Sequence, residues 1–225
     1  MIELNDVGMN YGGGALFDGV TLSLPAGSFH FLTGPSGAGK TTLLKLCYLA
    51  LRPTSGAVGL FGENASRFDR NAVAIVRRRI GVVHQDCQFL DHLPLAENIA
   101  LPLTVAGKDP AGATANLDEL LTWTGLSHRA GALPPELSGG ERQRAALARA
   151  VILSPDIVLA DEPTGNVDND MSERLLRLLI ELNLLGKTVL MATHDLGLIR
   201  RAKAQVAARV LRLRNRSVEV AGVDL

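Results

Sequence analysis

A glycine-rich segment that ends in lysine and threonine is the first place where this sequence could do chemistry. Residues 34–42 read GPSGAGKTT and fit the pattern G-x-x-x-x-G-K-[ST] in full. Glycines allow the backbone to wrap a phosphate chain with its N–H groups pointing inward. Lys40 would then reach the β- and γ-phosphates, and the hydroxyl of Thr41 would bind Mg²⁺. The segment predicts a nucleoside triphosphate site formed by Gly34, Pro35, Ser36, Gly37, Ala38, Gly39, Lys40, Thr41 and Thr42.

The competing interpretation of this segment is a glycine-rich turn with an incidental lysine. The run SFHFLTG precedes it and predicts a strand, and a helix is predicted to begin at Lys40. A phosphate-binding loop requires this strand–loop–helix context, because the positive end of the helix adds to phosphate binding. The context therefore favours the nucleotide site.

Two carboxylates follow an apolar run in the second half of the chain. Residues 157–160 read IVLA, and Asp161, Glu162 and Pro163 come next. Parallel sheets bind ligands at the carboxyl ends of their strands, where this pair is expected. Asp161 would hold Mg²⁺, directly or through water, since hard cations prefer oxygen ligands, and Glu162 would orient and polarise the attacking water. Alone, an acidic pair more often caps a helix; beside a phosphate loop it predicts hydrolysis.

A second helix start carries the features of an anion site. Residues 137–144 read LSGGERQR, in which a serine cap and two glycines precede the helix. The chain has a single phosphate loop but two such helix starts. This suggests that the second start completes a site on another copy of the protein. In isolation, a plain capped helix with a basic face would be the better interpretation.

The elements that must position these residues are strands alternating with helices. Helices are predicted over residues 40–51, 139–153 and 169–185, and buried strands over residues 80–85, 157–160 and 188–192. Continuous apolar strands that alternate with helices indicate a parallel sheet covered on both faces. Residues 1–33 carry short strands separated by Gly and Pro turns, and residues 208–220 predict a hairpin that turns at residues 214–216.

Between residues 86 and 137 the strand signal fades and helical patterning takes over. The predicted breaks are Pro94, Pro102, Pro110, Pro134 and Pro135. This pattern predicts a single domain: an α/β core with a β subdomain, formed by residues 1–85 and 138–225, and an α-helical subdomain at residues 86–137.

Composition limits the classes of function. The 23 basic and 23 acidic side chains cancel, so the whole chain offers no general attraction to nucleic acid or anionic lipid. The first residues lack the basic and apolar regions of a signal peptide, and no apolar stretch is long enough to span a bilayer. The two cysteines suit a reducing compartment. We therefore expect a cytoplasmic protein whose membrane role, if it has one, depends on a partner.

Three segments together resemble the ATPase domain of ABC transporters: residues 34–42, the LSGGERQR segment and LADEPTGNVD at residues 159–168. The resemblance covers essentially the whole chain, and the segments occur in the family's order. It implies a P-loop NTPase fold of α/β class, with a mostly parallel core sheet, an antiparallel β subdomain and an inserted helical subdomain. It also implies an ATPase that binds ATP and Mg²⁺ and works as an ATP-bound homodimer.

The resemblance implies further roles for single residues. Tyr11 would stack on adenine, and His194 would contact the γ-phosphate. Gln85 would join the core to the helical subdomain and touch both Mg²⁺ and the attacking water. Ser138, Gly139 and Gly140 of the second helix start would contact the γ-phosphate bound by the partner protomer. Asp168 would lie in the loop that crosses the dimer interface.

Within the ABC family, RRRIGVVHQD at residues 77–86, LPLAENIALPL at residues 93–103 and ADEPTGNVD at residues 160–168 resemble a set that contains the cell-division ATPases FtsE and the lipoprotein-releasing and macrolide-exporting ATPases. Within this set, RRRIGVV followed by QD, together with the short chain, is most similar to the FtsE group. That group pairs with the membrane protein FtsX and transmits ATP cycles to peptidoglycan hydrolysis. His84, Cys87 and Gln88 depart from the residues expected there, beside the partner-docking surface. The alternatives are an ATPase for lipoprotein release or macrolide export, or a soluble ABC ATPase acting on DNA or the ribosome.

Overall fold

The computed structural model describes residues 1–109, 114–165 and 167–221, whose strands form two sheets. The larger sheet has six strands in the order β10-β9-β3-β8-β7-β6. They are β3 (Phe29–Thr33), β6 (Ile80–Val83), β7 (Ile157–Asp161), β8 (Thr188–Ala192), β9 (Ala208–Arg214) and β10 (Ser217–Val220). All pair in parallel except β10, which returns antiparallel to β9.

Helices cover both faces of this sheet. Helix α1 (Lys40–Cys47) packs on one face, and α5 (Gly139–Val151), α6 (Asn169–Leu184) and α7 (Leu196–Lys203) pack on the other. Every residue of β3, β7 and β8 is buried, because a parallel strand between two helical layers has no face left for water. The predicted parallel sheet covered on both faces is confirmed.

The smaller sheet is antiparallel and packs over α1. Its order is β2-β1-β4-β5, with β1 (Ile2–Asn10), β2 (Ala15–Leu24), β4 (Ser55–Leu60) and β5 (Glu63–Asn64). Its inward side chains share one hydrophobic core with α1. The hairpin of β9 and β10 turns at Asn215 and Arg216, both with positive φ, which suits a tight hairpin turn.

The described part of residues 86–137 contains helices and turns but no strand. Helix α3 (Leu95–Val105) and helix α4 (Thr114–Trp123) are followed by 3₁₀ turns at Ser127–Arg129 and Pro134–Glu136. Leucine and isoleucine side chains of this region pack against Ala145 and Ala148 of α5 in a separate hydrophobic core. The division into subdomains at residue 86 stays a prediction.

Helix α1 ends at Cys47, so the helix predicted over residues 40–51 is too long. Leu49 adopts a left-handed φ of 60°, and the N–H of Ala50 donates to the carbonyl of Lys45 at 2.8 Å. These contacts end the helix without the glycine that usually follows a helix with a left-handed C-terminal residue. No glycine in the sequence therefore marks this end.

Other differences are local. Strand β6 stops at Val83, before the predicted end at residue 85. Pro102 lies inside α3 rather than breaking it; the buried side chains of this helix stabilise it although one backbone hydrogen bond is missing. Pro110 lies outside the described residues. Helix α2 (Arg70–Arg78), α7, β4 and β5 were not predicted, although Asp69 caps α2 by accepting from the N–H of Ala72 at 2.7 Å.

Candidate active site

The glycine-rich loop lies between β3 and α1, and two of its glycines are required by their surroundings. Gly39 has φ of 102° and caps α1, and a Cβ there would lie 2.7 Å from the ring of Phe17. At Gly34 a Cβ would lie 2.6 Å from the carbonyl oxygen of Leu213 in β9. Any side chain at either position would displace the loop, because such distances are shorter than van der Waals contact.

A cavity of about 780 Å³ opens over this loop. Twelve of the residues that line it were predicted from the sequence; Leu16 was not. The predicted ones are Tyr11, Gly34, Pro35, Ser36, Gly37, Gly39, Lys40, Thr41, Thr42, Gln85, Glu162 and His194. The structure thus brings residues from distant parts of the sequence to one concave surface, as expected of a ligand site.

The Lys40 ammonium group lies at the floor of the cavity. Its Nζ donates to the carbonyl oxygens of Gly34 at 3.0 Å and Pro35 at 3.3 Å, and lies 3.3 Å from Oε1 of Glu162. Only 9% of the side chain is exposed. A buried cation requires compensating negative charge, which Glu162 supplies here and a phosphate group would supply on binding.

Glu162 follows β7 and has an unusual backbone conformation. Its φ of 45° is left-handed, and its N–H donates to the carbonyl of Ala192 at 2.9 Å. Its Oε2 lies 2.7 Å from Nδ1 of His194, which follows β8. Strained residues of this kind cluster at functional sites, and here the conformation places the carboxylate between Lys40 and His194.

Asp161 is the residue best placed to hold a metal ion. Its side chain is buried, and its Oδ1 has no hydrogen-bond partner among the described residues. Burial raises its pKa, whereas a hydrogen bond from Thr41 lowers it. A buried carboxylate oxygen without a donor fits a hard cation such as Mg²⁺. No three His, Cys, Asp or Glu side chains in the described ranges gather to hold a metal by themselves; Mg²⁺ is commonly held by few protein ligands together with substrate phosphates.

Two further predicted residues lie at the rim of the cavity. Tyr11 is 62% exposed, and its hydroxyl lies 3.4 Å from Oγ1 of Thr42. A ring exposed to this extent beside the cavity could stack on a base. Gln85 is exposed in the loop that follows β6.

The predicted residues of the second helix start do not line this cavity. Ser138 caps α5: its Oγ accepts from the N–H of Glu141 at 3.3 Å, and its own N–H donates to Oε2 of Glu141 at 2.8 Å. Asp168 caps α6 by accepting from the N–H of Met171 at 2.8 Å. A Cβ on Gly140 would lie 2.8 Å from the Met171 side chain. The two helix starts are therefore neighbours, in a second cluster that contains Ser138, Gly139, Gly140 and Asp168.

Comparison with known proteins decides the family. Residues 17–165 match the sequence profile of the ABC transporter family. The chain belongs to that family. It is an ABC ATPase, which binds and hydrolyses ATP.

Three relatives of this ABC ATPase share one name. It is 44% identical to the cell division ATP-binding protein FtsE of Escherichia coli (strain K12), over 89% of this chain and 91% of that protein. It is 42% identical to FtsE of Haemophilus influenzae, over 88% and 92%, and 39% identical to FtsE of Bacillus subtilis, over 92% of each.

Solved ABC cassettes have the same fold. The dimeric structure of a post-hydrolysis state of an ATP-binding cassette, bound to ADP and Pi, superposes with a TM-score of 0.88 at 32% identity and covers 97% of each chain. A dimeric bacterial ABC transporter cassette gives 0.87 at 33% identity, also over 97% of each. Within the described ranges of this ABC ATPase, no helix combines the length and the apolar character required to cross a bilayer.

Sequence reasoning missed some residues at the site of this ABC ATPase. Leu16 of β2 lines the cavity, although nothing distinguishes it in sequence from other strand leucines. Asp195 was also missed: it caps α7 by accepting from the N–H of Leu198 at 2.9 Å, and its own N–H donates to Oγ1 of Thr193 at 3.1 Å. These bonds fix the chain on both sides of His194. A helix-cap pattern at Asp195 was the available signal.

Proposed function

We propose that this chain is the ATP-hydrolysing subunit of a cell-division complex. In this proposal it pairs with an FtsX-like integral membrane protein on the inner face of the cell membrane and couples ATP cycles to peptidoglycan hydrolysis. The observation that carries the proposal is the likeness to proteins named FtsE, at 39–44% identity and over about nine-tenths of both chains.

The geometry of the cavity supports ATP hydrolysis by positioning and charge rather than by covalent chemistry. The loop amides and Lys40 would bind the β- and γ-phosphates. Glu162 would polarise the attacking water, and His194, at 2.7 Å from its carboxylate, would orient it and contact the γ-phosphate.

Three residues would hold Mg²⁺ together with the phosphate oxygens: Thr41, Gln85 and Asp161. The unpartnered Oδ1 of Asp161 supports this assignment. When bound, the ion supplies positive charge against the negative charge that develops during phosphoryl transfer.

A homodimer would complete the site. Ser138, Gly139, Gly140 and Asp168 lie outside the cavity of their own chain but present a helix N-terminus, the part of a helix that binds anions. We infer that Ser138, Gly139 and Gly140 contact the γ-phosphate bound by the partner protomer, and that Asp168 lies in the loop that crosses the dimer interface. ATP would then hold two copies together, and hydrolysis would release them.

The membrane partner would dock on the surface around residues 85–98, most of which belongs to the helical subdomain at 86–137. The apolar side chains of this surface could grip a short helix of the partner or close the core of the helical subdomain; they are Phe89, Leu90 and Leu93. Phe89 is half-buried and packs against two hydrophobic cores, and Leu93 is half-buried, which favours the core for these two. Leu90, at 44% exposure, remains available.

The experiment is to deplete the chain from its native cells and to purify it, with its bound partners, from their membranes. We expect filaments or chains of unseparated cells, and a co-purified integral membrane protein with an extracytoplasmic loop. Normal division with defective lipoprotein sorting or drug export would assign the chain to the transport alternative. Recovery with DNA or ribosomes, and without a membrane protein, would contradict both.

A further inference from the structure

The hydroxyl group of Ser138 has one proton and two acceptors that could take it. Within the chain, its Oγ donates to Oε2 of Glu141, the third residue of α5, at 3.0 Å, and accepts from the N–H of Glu141 at 3.3 Å. A serine hydroxyl carries a single donor. In the proposed function the same hydroxyl contacts the γ-phosphate bound by the partner protomer. The Glu141 carboxylate and that phosphate therefore compete for one proton.

Glu141 also brings a negative charge to a place where an anion would bind. Its side chain is 12% exposed, and its hydrogen bonds, first of all the one from Arg129, lower its pKa to about 2, so that it is ionised at neutral pH. The N-terminus of α5 favours an anion, whereas a charge of the same sign in a partly buried position opposes one. An uncompensated Glu141 would make this helix start a poor phosphate site.

Arg129 supplies the compensating charge from the 3₁₀ turn Ser127–Arg129. Its Nε donates to Oε1 of Glu141 at 2.9 Å, which leaves Oε2 for Ser138. Nε2 of His128 lies 3.9 Å from the same Oε1 and adds positive charge only when it is protonated. A carboxylate that is paired with a guanidinium is less basic, so it holds the proton of a neighbouring hydroxyl less strongly.

We propose that Arg129 is a positioning residue of the shared site. It offsets the charge of Glu141 and so releases the Ser138 hydroxyl to the γ-phosphate bound by the partner protomer. Arg129 acts through Glu141 rather than by contact with the nucleotide. This inference rests on the proposed function, because it uses the site shared between two copies.

The test uses the full chain carrying Glu162→Gln as the parent, so that bound ATP persists. Arg129→Ala, Glu141→Gln and the two changes together are each added to it. Arg79→Ala is the matched control, because it breaks another arginine–carboxylate pair, with Asp156 at 2.7 Å, outside the second cluster. Sedimentation measures the ATP concentration that gives half-maximal dimer. Titration of dilute protein measures the ATP affinity of the protomer, and thermal unfolding measures stability.

Arg129→Ala should require about tenfold more ATP for half-maximal dimer, because an unpaired carboxylate then faces the phosphate. The ATP affinity of the protomer should not change, and added salt should reduce the defect by screening the charge. Glu141→Gln removes the charge but keeps an oxygen that accepts from the Ser138 N–H. The double variant should therefore form dimer at the ATP concentration of the parent, although it unfolds at a lower temperature. Arg79→Ala should form dimer like the parent.

The double variant decides between an electrostatic and a purely structural role. If it dimerises as poorly as Arg129→Ala, the ion pair serves only the structure and the proposal is overturned. Dimerisation that follows the melting temperature across all variants, the control included, would overturn it too. Unchanged dimerisation by Arg129→Ala, when the parent dimerises, contradicts this inference alone. A parent that never dimerises with ATP contradicts the proposed shared site as well.

Discussion

Oε1 of Glu162 lies 3.3 Å from Nζ of Lys40. This ion pair joins the acidic strand end to the phosphate loop. In the proposed function, the γ-phosphate replaces the carboxylate at Lys40, and Glu162 then faces the attacking water while His194 still holds it. Under that proposal, nucleotide binding and readiness for hydrolysis are linked through one side chain.

Glu162→Gln should retain ATP binding but slow hydrolysis by about 10²–10⁴-fold, the usual contribution of a positioned base. The amide keeps the shape of the side chain but cannot accept a proton. Steady-state phosphate release measures the rate, and size exclusion should show an ATP-stabilised dimer. Turnover at the unmodified rate would remove Glu162 from the proposed role.

Lys40→Ala should weaken ATP binding itself, by roughly 10–100-fold, since hydrogen bonds to charged groups contribute about 1.5–3 kcal/mol. Calorimetric titration with ATP measures the loss. Lys45→Ala, on the same helix but not among the residues that line the cavity, is the control and should bind normally. Equal affinities for the two variants would contradict the phosphate-loop assignment.

Ser138→Arg should leave ATP binding by its own chain intact but abolish ATP-driven dimerisation, because a bulky cation blocks the helix N-terminus. A mixture with Lys40→Ala chains provides the sharper measurement. If the site is shared, one intact site forms between the phosphate loop of the first chain and Ser138 of the second, and native mass spectrometry of tagged chains should detect a mixed dimer. Failure of the mixture to dimerise, while the unmodified chain does, would mean that each site lies within one chain.

Glu141 predicts a pH dependence of stability. Its hydrogen bonds to Arg129 and Ser138 lower its pKa from 4.5 to about 2. A lowered pKa in the folded state stabilises the fold above the unfolded value, and this contribution is lost as pH falls from about 4.5 to about 2. Glu141→Gln should lower the melting temperature at neutral pH, and the difference from the unmodified chain should shrink in acid. Glu63→Gln, on an exposed strand, is the control; a difference independent of pH would contradict the argument.

Leu90→Glu should release the protein from the membrane partner while leaving ATP affinity unchanged. The side chain is 44% exposed, so a charge there costs little stability but opposes an apolar contact with a docked helix. Cell fractionation and ATP titration test the two halves of this expectation. Leu184→Glu, at a 72% exposed position at the end of α6, is the matched control and should remain with the membrane. Release of both variants, or of neither, would place the docking surface elsewhere.

The sequence by itself determined the local requirements of the site. The glycine-rich loop can be recognised in the sequence because a phosphate-binding backbone tolerates few side chains. The short contacts that an added Cβ would make at Gly34 and Gly39 demonstrate this. The buried strands can be recognised as continuous apolar runs because both faces of a parallel sheet exclude water. The cap at Ser138 can be recognised because the free N–H groups at a helix start require an acceptor.

Only the tertiary structure decided which of these pieces meet. Strand order places β3, β8 and β7 side by side, so the loop, His194 and Glu162 converge although nothing in their local sequence fixes the order of the strands. The same packing buries part of Phe89 against two hydrophobic cores, and it keeps α3 continuous through Pro102. It also ends α1 without a glycine, where Arg77 of α2 donates to the carbonyl oxygen of Leu49 at 2.7 Å. These outcomes depend on contacts between residues far apart in the chain, whose free energies exceed the local preferences that a sequence displays.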